Sequence, residues 1–322
     1  MKLSEKNIAI TLLFVGAILR LRGYLSGRSL WADEAMLALN IVNRNFTELF
    51  KPLEYDQGAP LGFLLVEKFF NTLFGRQELV LRFFPLLAGL ASLWLFYRLL
   101  MSLRGGDSRR SVAVAPWRHN LLALALFAVN PQLIYYTSEA KQYIVDVAVA
   151  LGLLLLAIPI FQNQSSRKSF SLLAVAGILA LWFSHPALFA LAGIGVALVI
   201  QFLRTRDYKN LRTSFGVGLL WLANLTLLYF INLRQLSHNN YLATYWVDGF
   251  LPLPPWSDLN WLTELVKYQF DIQFIPLLVS VLILMGWLAL LREERSAALA
   301  LAFTTVFAFT VSALRLYPSM DG

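Results

Sequence analysis

Apolar runs long enough to cross a membrane recur from one end of the sequence to the other, and this limits the fold more tightly than anything else in it. A helix needs about 20 mostly apolar residues to traverse the hydrocarbon core of a bilayer. Stretches of that kind fall at 7–25, 79–101, 120–137, 143–161, 170–184, 186–203, 213–231, 272–291 and 297–314. They leave no room for a soluble domain. Charged residues are 14% of the 322 and hydrophobic residues 58%, whereas a soluble domain carries roughly 25% charge. The expected fold is therefore an all-α integral membrane bundle of about nine transmembrane helices, a single domain over 1–322. The spans at 170–184 and 186–203 are joined by the tight turn Ser184-His185-Pro186. The first span follows Lys2 and Lys6 as a signal peptide would. Leu19-Arg20-Leu21-Arg22 follows it where a small-residue cleavage site is needed, so it reads as a retained anchor.

Charge sets the expected orientation. Arg104, Arg109, Arg110 and Arg118, then Arg167 and Lys168, then Arg204, Arg206, Lys209 and Arg212, then Arg292 and Arg295 occupy alternate connections. Loops rich in Lys and Arg stay cytoplasmic, which puts the amino terminus inside and residues 26–78, 138–142, 184–186 and 232–271 outside. The net charge of +8 thus has a topological origin and gives no reason to expect nucleic acid; membrane lipids are the expected partners of these cations. Two outer loops are long. Residues 26–78 hold amphipathic stretches around 35–50 and 61–74, expected as short helices along the interface, and residues 232–271 are rich in aromatics and proline. The absence of cysteine removes disulfides, thiolate metal sites and cysteine nucleophiles.

The candidate chemistry lies on the outer side. Asp33 and Glu34 are adjacent, a few residues beyond the first span. Two like charges held together disfavour joint ionisation, which suits one of them to take a proton as a general base. The same pair also reads simply as the acidic start of a helix. Glu139, Tyr143 and Asp146 follow at i, i+4 and i+7, the spacing of one helical face; pairing with Lys141 at the interface is the plainer reading. Arg20, Arg22, Arg76, Arg82 and Arg315 sit near outer boundaries, where the positive-inside bias disfavours them. A guanidinium there suits a phosphate at headgroup level, or, for Arg82, an i, i+4 pair with Glu78. His185 reads either as a ligand or proton carrier or as an ordinary turn residue. No Gly-rich nucleotide loop is present.

Together these segments resemble the multi-spanning glycosyltransferases of the GT-C class, in particular the bacterial group related to protein O-mannosyltransferases and aminoarabinose transferases. The resemblance rests on Leu19-Arg20-Leu21-Arg22 leading into Ser29-Leu30-Trp31-Ala32-Asp33-Glu34-Ala35, then Ala59-Pro60-Leu61, Leu73-Phe74-Gly75 with Glu78, Leu81-Arg82-Phe83-Phe84-Pro85, Asn130-Pro131 and Tyr136-Thr137-Ser138-Glu139-Ala140-Lys141-Gln142-Tyr143. It implies a sugar donor carried on polyprenyl phosphate and presented on the periplasmic face of a bacterial inner membrane, with Asp33 and Glu34 as the catalytic pair. Arg82, Lys141, Arg20 and Arg315 become the expected contacts of the donor phosphate, and Glu139, Tyr143 and His185 the lining of the pocket. Lys141-Gln142 stands where the family usually has arginine before the tyrosine. Arg315-Leu316-Tyr317-Pro318 resembles the start of a late motif that continues into further spans, so a truncated family member is expected. The acceptor is a hydroxyl on an unidentified glycan, lipid or protein, no cofactor is assigned, and a divalent metal is compatible with the acids. A lipid-linked sugar transporter or flippase, or a non-catalytic membrane scaffold, is the alternative.

The cysteine-free sequence makes the topology directly testable. An impermeant maleimide applied to intact cells should label single cysteines introduced within 26–78 and 232–271, and spare those within 104–118 and 204–212. The reverse pattern would invert the orientation.

Overall fold

The computed structural model describes residues 5–103, 117–234, 246–270 and 276–318. The basic residues Arg104, Arg109 and Arg110, and the aromatic residues Tyr241 and Tyr245, lie outside that set. Among the described residues all regular structure is helical: α1 (Glu5–Leu25), α2 (Ala32–Asn43), α3 (Leu61–Phe74), α4 (Glu78–Leu81), α5 (Phe83–Ser102), α6 (Trp117–Val129), α7 (Pro131–Thr137), α8 (Tyr143–Phe161), α9 (Arg167–Phe183), α10 (Ala187–Thr205), α11 (Tyr208–Leu228), α12 (Leu259–Phe270), α13 (Pro276–Glu293) and α14 (Arg295–Ala313). Among the described residues, six stretches are long and apolar enough to cross a membrane: α1, α4 with α5, α8, α10, α11 with the π-helical turn Tyr229–Leu233 that extends it, and α14. Only 17% of the apolar window of α1, and 22% of those of α11 and α14, is buried inside the molecule. The remainder is the surface a bilayer would cover.

The chain packs as two units, Met1–Ile158 with Leu179–His185, and Pro159–Ile178 with Pro186–Gly322. In the first, α1 lies against α5, α6 and α7. The stretch 120–137, expected as one span, is two helices. Asn130 breaks it, its side chain accepting from the amide of Leu133 at 2.9 Å, and Pro131 opens α7. Because Pro131 has no N–H, the carbonyl of Phe127 loses its helical donor, and the break frees that of Ala128 as well. Arg20, fully buried on α1, replaces them. Its guanidinium donates to Ala128 O at 2.9 Å, to Phe127 O at 3.4 Å and to Gly16 O at 3.2 Å, with the Phe127 ring beside it. The guanidinium thus supplies donors to buried carbonyls that would otherwise lack them, and this exchange is what makes the broken helix tolerable.

The two amphipathic stretches of the first long loop form α2 and α3, and both pack into the first unit. Lys68 of α3 donates to the last carbonyls of α2, Ile41 O at 3.0 Å and Val42 O at 3.2 Å. Asn40 pairs with both backbone groups of Glu54, folding the connection 44–60 back over α2. At Gly62 an added Cβ would strike the carbonyl of Trp182, so α3 lies directly on the end of α9. Glu67 points inward from α3; both its oxygens are buried without a hydrogen bond, and burial pushes its carboxyl well above the ordinary range.

The second unit is built on α10 packed along α14. Gly193 is where their backbones meet, since a Cβ there would run into Thr304 and the carbonyl of Ala300. Trp221 ties α11 to α9 by donating to Ala174 O at 3.2 Å. In the second long loop Asp258 caps α12 through the amide of Trp261, and the indole of Trp261 donates to Asp248 O at 2.9 Å.

Candidate functional site

Four segments far apart in sequence meet in the first unit: the loop 26–31 with the start of α2, residue Gln57, the start of α5, and the turn 138–142 between α7 and α8. After α1 the chain reverses at Gly27, whose φ of +63° lies in the left-handed region that side chains resist. This brings Arg28 back over α7, where it sits 4.5 Å from the ring of Tyr135 and donates to Ser138 O at 3.1 Å.

Glu34 is the centre of the cluster. On α2 it shares a face with Leu37, Ala38 and Ile41 and is fully buried. Every approach to its carboxylate is taken. Oε2 accepts from the backbone amide of Trp31 at 3.0 Å and forms an ion pair with Arg28 at 3.1 Å. Oε1 accepts from the amide of Ala140 at 2.8 Å and from Arg28 and Arg82 at 3.4 Å each. The bond to Trp31 is the helix-start reading of this acid, realised. Glu34 was expected as half of a catalytic pair; it is enclosed, and its contacts hold the cluster together.

Arg82 is likewise spent on construction. With 1% of its surface exposed, it donates to Arg28 O at 2.7 Å, to Ser29 O at 3.4 Å and to Glu34. Its ion-pair partner is Glu34, not Glu78. The guanidinium expected at the donor phosphate instead fixes the loop that carries Arg28. Arg28, absent from the sequence-based candidates, keeps 23% of its side chain exposed and is the accessible arginine of the cluster. The signal for it was its place directly after a turn glycine, six residues before Glu34.

Asp33 points the other way from its neighbour. Its side chain is 58% exposed and pairs with Lys141 at 2.8 Å; Lys141 also donates to Gln57 at 2.8 Å. The accessible carboxylate of the pair is thus Asp33, facing a nearly buried ammonium. Glu139 lies close by in the turn and not, as the i, i+4, i+7 spacing implied, on the helix of Tyr143 and Asp146, because α8 starts only at Tyr143. Its Oε2 is buried without a hydrogen bond. Burial raises its carboxyl to about 7, reinforced by the charge of Glu34 and opposed by Arg28 and Lys141. Tyr143 packs on Tyr136 with ring centroids 5.0 Å apart.

Two of the expected members, Arg20 and His185, lie outside the cluster within the first unit. Arg20 is committed to the carbonyls of α6. His185, in the turn between α9 and α10, is held neutral by burial, its pKa lowered to about 4; among the described residues no hydrogen bond or ion pair joins it to the cluster. Arg315 belongs to the second unit, exposed just after α14 with φ +57°. Among the described residues no three His, Asp or Glu are grouped to ligate a divalent metal. No family model matches the chain, and neither curated proteins nor solved structures give a match.

Glu139 makes the site sensitive to pH in a defined direction. The folded protein keeps this proton up to about pH 7, whereas the ordinary glutamate value is 4.5, so the folded state binds more protons between those values. Stability should fall as pH rises through that window, by an amount on the order of 3 kcal/mol at most. Thermal unfolding in detergent at pH 5 and pH 8 should show this loss in wild type, and a smaller one in Glu139→Gln. Equal pH dependence in the two proteins would show that the burial of Glu139 is not its source.

Proposed function

We propose that the chain is a glycosyltransferase that moves a sugar from a polyprenyl-phosphate donor to an acceptor hydroxyl, with inversion, at the periplasmic face of a bacterial inner membrane. In this reading α6 with α7, α9 and α13 also enter the bilayer, giving nine spans with the amino terminus inside. The observation that carries the proposal is the convergence of Asp33, Arg28, Lys141 and Glu139 around one saturated carboxylate, Glu34, where the first span ends and α5 and α8 begin. The family resemblance of those same segments supports it.

The chemistry assigns a role to each group. Asp33 takes the proton of the acceptor hydroxyl as its oxygen bonds to the anomeric carbon. The bond from that carbon to the phosphate oxygen breaks, and polyprenyl phosphate leaves with the electron pair. A single displacement of this kind needs one base. Lys141 and Arg28 are the cations placed to stabilise the leaving phosphate as its charge grows. Since Lys141 pairs with Asp33 in the free protein, a phosphate that draws the ammonium away also releases the base. Glu34 and Arg82 are positioning residues, and Glu34 acts by fixing Arg28 and the turn that carries Lys141.

Transfer of a labelled sugar from polyprenyl phosphate in reconstituted membranes tests this. Asp33→Asn keeps the shape and removes the basicity, so the rate should fall by about two to four orders of magnitude at unchanged protein level. Arg28→Gln should weaken use of the donor while leaving acceptor dependence alone. A wild-type rate in Asp33→Asn would remove this residue as the base. Failure of the wild-type protein to use any of a panel of polyprenyl-phosphate sugars would overturn the transferase reading itself.

A further inference from the structure

A second polar feature lies in the other unit and owes nothing to the transfer site. Where α10 ends and α14 begins, a cavity of about 280 Å³ is lined by Gln201, Arg204, Thr205, Arg295 and Ser296. Its floor is rigid. The buried amide of Gln201 donates to the carbonyls of Ile160 and Phe161 and to Asn163, and accepts from the hydroxyl of Ser296 at 2.6 Å. This stitches the end of α8 to both walls. The close packing of α10 on α14 at Gly193 holds those walls together further along the helices.

The two arginines are the unexplained part. Both are exposed, and among the described residues neither has a hydrogen bond or an ion pair. The nearest acids in sequence do not serve them: Asp207 accepts from the amide and the side chain of Asn210, Glu294 accepts from Gln162 at 2.9 Å, and among the described residues no ion pair engages Glu293. Arg204 is at the carbonyl end of α10, where the helix dipole favours a cation. Arg295 is in the first turn of α14, where the dipole disfavours one. Two like charges on one cavity, one of them at the wrong end of a helix and neither neutralised, call for an anion between them. Room is sufficient: at about 30 Å³ per water, roughly nine waters' worth of space exceeds what a phosphate group needs.

We propose that this cavity binds a phosphate ester, the headgroup of an anionic phospholipid, with Arg204 and Arg295 as its two cationic walls and Thr205 and Ser296 as hydroxyl donors beside them. The charge pattern of the sequence assigns this end of the helices to the cytoplasmic leaflet, where basic pockets between spans take such headgroups. Two guanidinium donors on one phosphate give the bidentate, charge-assisted contacts that distinguish a site from diffuse attraction.

The test uses the purified protein in uncharged detergent, titrated separately with phosphatidylglycerol, phosphatidylcholine and inorganic phosphate, and read by native mass spectrometry and melting temperature. Both arginines are exposed, so the variant Arg204→Gln/Arg295→Gln should fold; its melting temperature without lipid checks this. Arg212→Gln, an exposed arginine of α11 away from the cavity, is the control. Wild type should retain phosphatidylglycerol over phosphatidylcholine, and the double variant should bind it about tenfold more weakly or worse, with Arg212→Gln unchanged. Arginine-dependent binding of inorganic phosphate without a preference for the lipid would keep the phosphate site and assign it a soluble ligand. No selective binding of either probe, or an equal loss in Arg212→Gln, would overturn the proposal.

Discussion

The first unit depends on a single buried carboxylate. A glutamate taken out of water loses solvation worth several kcal/mol, and it stays charged only if the protein surrounds it with donors. Glu34 meets that requirement with two guanidinium groups and two backbone amides drawn from three places in the chain: Arg28 and the amide of Trp31 from the first loop, Arg82 from the start of α5, and the amide of Ala140 from the turn before α8. The need to satisfy one anion therefore fixes the relative placement of three connections. Asp33 and Lys141 inherit their positions from it. Arg28 does too, which leaves it pinned on one side by Glu34 and on the other by Tyr135.

The same economy appears at the break between α6 and α7. Proline at 131 removes a donor that the preceding helix needs, and a buried carbonyl left without one is costly. Arg20 supplies one from α1, which turns an arginine in a span from an expense into a strut. Two arginines that stood out in the sequence because they lie on the wrong side for topology, Arg20 and Arg82, are thus explained by unsatisfied backbone oxygens and a buried acid. Arg204 and Arg295, which line the cavity of the second unit, are on the expected basic side, where a cation by itself attracts no notice.

Much of the fold was legible because lipid imposes a simple rule on sequence. The stretches 7–25, 79–101, 143–161 and 186–203 match α1, α4 with α5, α8 and α10 to within a few residues, and the amphipathic stretches of the first loop became α2 and α3. Hydropathy read over 120–137 as one stretch did not mark the division at Asn130-Pro131; the cap and the proline carried that information. The membership of the site was largely legible, and the roles were not. Asp33 and Glu34 look equivalent as a pair, but Glu34 falls on the face of Leu37, Ala38 and Ile41 while Asp33 does not, and that register decides which acid is buried. Glu139 was misplaced on a helix because spacing alone says nothing of where α8 begins. Arg28 was overlooked although Gly27 marks the turn that aims it. Glu67 was hidden by a helix whose amphipathic pattern pointed to an interface, when its polar residue in fact faces the core.

If Glu34 organises the unit, its partners must be energetically coupled through it, and a double-mutant cycle on Glu34 and Arg82 measures that coupling. Unfolding of wild type, Glu34→Gln, Arg82→Gln and the double variant would be followed in mixed detergent micelles. Each single substitution should cost about 3–5 kcal/mol, because it strands a buried charge, and the double variant should be more stable than the sum of the two by roughly 1–3 kcal/mol. Additive losses, or a Glu34→Gln protein as stable as wild type, would contradict the central place given to this carboxylate.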